Sequence, residues 1–342
     1  MQPTLIDQIA ESVLYEGYLL YPYRPSVKNT QRWTFGGLYP PAYCAGATGN
    51  EAAAMQMQCL VESGQAATLE ITLKFLQLVN RQIGRLERPL TSPGDLSNAS
   101  FALVDRLAIG GKELHAWQEA VERQVALDRL ALHELVAKPH RSRFHFAAET
   151  QLEPIHDEQR RIAAVMVRQR LALSGAVEVA AETVAPGCHR LTVRAVNQTA
   201  CEPAAIASRD QAMWCSFASA HLALAGEGCE FVSQIDPPQL WQAAVAQNEN
   251  VGAWPVLVGE PPRRDLMLAA PIILYDYPQI APQSPGTLYD STEIDEILTL
   301  RIMTLSDDEK RAMEALDMRG RDLLHRVESL SPDALLQLHG EM

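Results

Sequence analysis

The chain has 342 residues, of which 47% are hydrophobic and 21% charged. That balance belongs to a folded globular protein of one large or two ordinary domains, and it excludes wholesale disorder. The formal net charge of −13 argues against sequence-blind nucleic-acid binding, which needs a density of Lys and Arg to displace counterions, and against an electrostatic hold on anionic membranes.

In chain order, residues 4–20 open as an amphipathic helix, with Leu5, Ile9, Val13 and Leu14 at helical spacing. Asp7, Glu11 and Glu16 stand where a secretory signal would be basic and then apolar, so no signal is expected. A loop with Arg24, Arg32 and Trp33 follows, closed by Gly36, Gly37, Pro40 and Pro41. Arg and Trp are common interface anchors, which makes Arg24 and Trp33 candidate partner-binding residues. Packing over a sheet edge is the alternative.

Residues 55–79 predict two strands around a turn at SGQA. Leu69, Ile71, Leu73 and Phe75 share one face, with Glu70, Thr72 and Lys74 opposite. The period breaks at Leu76 and Gln77, which predicts a bulge or a strand end near Phe75. Residues 88–100 read as a loop. Residues 113–136 favour a helix, with Leu114, Trp117, Val121 and Val125 on one face. A strand over AVERQVAL is the competing reading.

From Arg143 onward short strands recur: RFHF, two strands meeting near Ser174 and Gly175, and a third after the turn at Pro186 and Gly187. Residues 213–235 continue this pattern with GEG as a turn, or else form a helix over 211–224. Residues 239–247 predict a short helix. Pro271 inside LMLAAPIILY marks an edge strand or a bend.

The section 286–342 reads as helical, with helix starts at Asp290 and Ser306 and Pro332 in a first turn. It holds 13 acidic and 6 basic residues. The resulting expectation is an α+β fold: a β-rich, antiparallel sandwich-like body over 1–285, and an acidic helical C-terminal section over 286–342 packed on it as one unit.

Chemistry is sparse. Six scattered cysteines form no C-x-x-C pair, so reduced thiols are expected rather than zinc or a disulfide framework. The nine histidines form no H-E-x-x-H. No G-x-S-x-G, P-loop or G-x-G-x-x-G is complete. Asp276, Glu293, Asp295 and Glu296 form an acidic group that suits a divalent cation or acid–base work. Acids of that kind also belong in a first helical turn, where the unpaired N–H groups favour negative charge. Tyr275, Asp276 and Tyr277, with Pro278, Pro282 and Pro285, read as a rigid aromatic recognition or packing segment, and Trp254 as either a core residue or a candidate partner-binding residue.

Three blocks then stand together: YEGYLLYPYRPS with RWTFGGLYP, NVGAWPVLVGE, and PIILYDYPQIAPQSPG with TEIDEILTLRIMTL. They resemble an uncharacterised accessory protein family encoded in gene clusters of uptake-type nickel–iron hydrogenases, across most of the chain. The resemblance implies a cytoplasmic role in assembly, maturation or partner docking, with a hydrogenase subunit or maturation factor as partner. It carries over no catalytic residue. The functional expectation is a non-enzymatic accessory or scaffold protein without a cofactor, bound to neither nucleic acid nor membrane. A metal-dependent enzyme using the four carboxylates and a small-ligand-binding β-sandwich remain as alternatives.

Overall fold

The computed structural model describes residues 36–46, 49, 51–92, 96, 99–278, 302–307, 310, 321, 324, 325 and 327–329. One strand organises everything else. β1 (Ala54–Leu90) runs unbroken for 37 residues. On one edge it pairs in turn with β10 (Cys188–Asn197), β5 (Trp117–Ala131) and β2 (Phe101–Val104). On the other it pairs with β11 (Ala218–Phe231) and then β8 (Ile162–Arg170). All five pairings are antiparallel.

The remaining strands extend this frame. β9 (Leu173–Ala185) joins β10, and β6 (His140–Phe146) joins β9. On the far side β13 (Leu266–Ala270) joins β11, and β12 (Trp254–Leu257) joins β13. β7 (Glu149–His156) pairs with β8. The main path is therefore β12-β13-β11-β1-β10-β9-β6 within one 11-stranded sheet. A separate hairpin pairs β3 (Arg106–Ile109) with β4 (Lys112–His115) across Gly110 and Gly111.

The sheet curls into a half-barrel. Phe144 and Phe146 of β6, at one end of the path, lie about a ring's width from Phe75 in its middle, with centroids 6.1 and 6.0 Å away. Phe217 stacks on Phe75 at 4.4 Å. Gly175 makes room for this cluster: a Cβ there would lie 2.5 Å from Phe144 and 2.9 Å from Phe217. Met55, Met57, Cys59, Val61, Leu69, Ile71, Leu73 and Phe75 line the interior from β1, all buried. A short helix, Leu132–Ala137, follows β5 and plugs Leu132 and Leu135 into the same core.

The α+β expectation is corrected by these findings. Of the described residues, 56% are strand and 13% helical. Eleven strands form one curled sheet, not two packed layers, because β1 is long enough to bend and takes strand partners on both edges over much of its length, as at residues 68–76, 80–81 and 83–85. The helices between residues 36 and 278 have at most six residues. Of the section 286–342, the described residues include helical positions such as Ile302 and Met303; the rest of that section, with the helix expected over 4–20, lies outside the described residues.

Two local expectations also change. The turn at SGQA is absent. The chain passes straight through residues 63–67, and only the register with β11 shifts between Ser63 and Thr68, opposite Gly228 at φ +70°. Residues 117–131 are strand, not helix: Val121, Arg123, Val125 and Leu127 alternate toward the interior against β1. Residues 211–224 divide, with a helix over Arg209–Met213 leading into β11. The alternation at 69–75 and the bulge beyond Phe75 are as expected, with the register against β11 shifting between Lys74 and Leu76.

Candidate functional site

The described members of the aromatic segment meet at the free end of the sheet, on β12. Trp254 lies opposite Ala270, and Leu257 opposite Met267. Pro271 ends β13, since proline has no N–H to continue a ladder. The next stretch of β11 is paired instead by residues 36–38: Ala220 N–H donates to Gly36 O at 3.0 Å, and Leu38 N–H to Phe217 O at 3.0 Å.

Residues 272–277 then double back along the outer edge of β12. Tyr277 N–H donates to Leu257 O at 2.7 Å, and Leu257 N–H donates to Asp276 Oδ1 at 2.8 Å. Asp276 Oδ2 accepts from the Ser233 hydroxyl, whose oxygen also accepts N–H bonds from Ile235 at 3.1 Å and Asp236 at 2.8 Å. Asp276 thus ties three chain segments together and closes the sheet edge at Leu257. An open edge would otherwise offer unpaired backbone groups to another chain.

This anchoring sorts the neighbouring side chains. Tyr277, at φ +54°, turns inward and packs on the main core. Burial, then the adjacent Asp276 carboxylate, raise its phenol pKa. Leu274 is buried with Val256, Val258, Leu268 and Ala270. Ile273 and Tyr275, on the alternate positions, stand out at 80% and 82% exposure. Trp254 is 38% exposed and so sits at the rim, not in the core. Ile235 and Leu240, in the segment that Ser233 fixes, are exposed as well.

Arg24, Trp33, Glu293, Asp295 and Glu296 lie outside the described residues. Asp276, the one described carboxylate of the acidic group, has both oxygens engaged in the bonds above. Among the described residues no three His, Cys, Asp or Glu side chains gather as a metal-binding group. The sequence reading missed Ile273, which the alternation Ile273, Tyr275 against Leu274, Asp276 would have revealed. It also missed Ser233, for which no local signal exists, because its partner is 43 residues away.

The thiols and the buried histidine His221 are quiet. All six cysteines are free. Burial pushes the Cys215 thiol up to about 12 and Cys229 to about 11, and raises Cys44, which keeps these thiols protonated and poorly nucleophilic. His221 on β11 is fully buried opposite Lys74. Its Nδ1–H donates to Ser219 O at 3.0 Å, while Nε2 meets no partner among the described residues. Burial lowers its pKa to about 4, so the ring is neutral near pH 7.

No described helix is long and apolar enough to cross a membrane. Comparison with protein-family models gives no match, and comparison with curated proteins gives none either.

Proposed function

We propose that the protein is a non-enzymatic accessory or assembly protein that binds another protein through the β12 edge. The observation that carries this reading is the pinned segment 272–277, which holds Ile273 and Tyr275 out at 80% and 82% exposure. A large apolar side chain on a backbone already fixed by Asp276 loses little further freedom on binding, so more of its burial counts toward affinity. Trp254 flanks the same edge and supplies a second aromatic surface.

The resemblance noted in the sequence supplies the class of partner: a hydrogenase subunit or maturation factor in the cytoplasm. Described parts of all three resembling blocks come together here. Residues 36–40 cross β11 beside Pro271, residues 250–260 carry β12, and residues 271–278 double back over it.

The test is gentle purification of the tagged chain from its native host, beside the double variant Ile273→Glu, Tyr275→Ala. Stoichiometric recovery of a hydrogenase subunit or maturation factor with the parent chain, reduced at least tenfold by the variant, is expected. A parent chain that emerges alone, or a variant that keeps its partner, sinks the reading.

A further inference from the structure

At the other end of the half-barrel, the interior changes character. Beyond Phe75 the inward positions of β1 are Gln77, Val79 and Arg81, facing Val121, Glu119 and Trp117 of β5. Charges here are neutralised in pairs. Glu119 bonds Arg81 and Arg168, each at 2.8 Å; Glu153 bonds Arg168; Glu149 bonds Arg170. Within this set Arg81, Arg123, Arg168 and Arg170 meet three carboxylates, Glu119, Glu149 and Glu153. One guanidinium is in surplus, and it is Arg123.

Arg123 is held without being neutralised. Its Nε donates to Gln77 Oε1 at 2.8 Å, and the Gln77 amide is itself fixed by donating to Leu171 O at 2.7 Å. The guanidinium lies over the Phe146 ring, 4.6 Å from its centroid. These contacts fix the plane of the group and use only one of its five N–H donors. Nη1 and Nη2 donate to no described residue and keep access to solvent, since neither is among the buried unpartnered atoms. Burial, then the charge of neighbouring Arg170, lower the Arg123 pKa, with Glu149 opposing. The side chain stays charged near neutral pH, because arginine starts so high.

We propose that Arg123, oriented by Gln77 and Phe146 and flanked by Arg170, anchors a binding site for an oxyanion, a carboxylate or a phosphate. A rigid guanidinium with a free pair of Nη groups matches the two oxygens of such a ligand in a fork-to-fork arrangement. The surplus positive charge and the fixed plane supply attraction and direction together. The site lies apart from the β12 edge and does not rest on the protein-binding reading. Its anion comes either from a free small molecule or from an acidic side chain of a protein; both present the same pair of oxygens.

The experiment is calorimetric titration of the full chain at fixed ionic strength with inorganic phosphate, acetate and a short glutamate peptide, using chloride as the blank. Saturable binding of at least one probe, with Kd of the order of 1 mM, is expected from a pair of charge-assisted hydrogen bonds. Arg123→Gln weakens it at least tenfold, and Arg123→Lys, which keeps the charge but loses the fork, weakens it several-fold. Phosphate as the tightest probe identifies a small-molecule source; the glutamate peptide at least tenfold tighter than acetate identifies a protein source. A wild-type chain that binds none of the three overturns the proposal, whatever the variants do. So does a folded Arg123→Gln variant that binds within twofold of wild type.

Discussion

The two halves of β1 fill the same face of the same strand by different means. From Met55 to Phe75 the interior is apolar, and neighbouring strands complete it by shape: Phe217 on Phe75, Phe144 beside both. From Gln77 to Arg81 it is polar, completed by charge pairing through Glu119 and Arg168. The first half gains from every apolar contact removed from water, with no requirement on direction. The second half must satisfy each charge with a partner in good geometry, or lose more than it gains. A strand built this way concentrates apolar packing at one end and charge pairing at the other.

The comparison is tested most severely by Phe75→Ala. It removes the ring at the centre of the aromatic cluster and is expected to cost about 4 kcal/mol in a urea unfolding series. A loss below about 1 kcal/mol would mean that the apolar half does not dominate stability.

Next is a buried titratable group beside that half, His221, which lies opposite Lys74 and so on the other face of the sheet. Its folded pKa of about 4 lies below the unfolded value of about 6.5. Between those values the unfolded chain binds more protons, so stability is fully present above about pH 6.5 and falls as pH drops through 4. The full effect is about 3 kcal/mol, since each tenfold drop in proton affinity is worth ~1.4 kcal/mol. Comparing wild type with His221→Gln at pH 7 and 4.5 isolates it, and equal losses in both chains would remove the buried neutral imidazole from the account.

In the polar half, Glu119→Gln leaves Arg81 and Arg168 short of charge and is expected to cost about 3 kcal/mol. Glu149→Gln, at a more exposed pair with Arg170, is expected to cost less than about 1 kcal/mol and to respond to salt. Equal effects at the two positions would erase the gradient from buried to exposed pairing. Smallest of all, Tyr275→Ala should change stability by no more than about 0.5 kcal/mol, while Trp254→Ala should fall well short of a core truncation.

Much of the strand content was legible where period and punctuation agreed. Leu69 to Phe75 alternates cleanly, Gly187 at φ +75° marks a turn, and residues 239–247 contain the short helix Gln242–Val245. Residues 117–131 were not legible, because Trp117, Val121 and Val125 satisfy a helical face as well as Val121, Arg123 and Val125 satisfy a strand face. Pairing with β1 decides between them, and that is tertiary information. Ser63 and Gly64 resemble a turn, yet the chain runs straight because β10 and β11 hold it on both edges at Val61 and Glu62. The candidate edge was half visible. Trp254 and Tyr275 announce themselves by residue type, whereas the Asp276–Ser233 tie that positions them joins positions no local pattern connects.

The length of β1 also sets the order of events during synthesis. Its last residue is Leu90, but β11, which flanks its centre, ends only at Phe231. At ordinary elongation rates those intervening residues take roughly 7–28 s to appear. For that interval an extended apolar spine waits with its β11 edge unpaired, while β5, β8 and β10 emerge in turn. Pairings so distant in sequence are slow to form. The nascent chain is therefore expected to engage holding chaperones through residues 55–75 until β10 and β11 have left the ribosome.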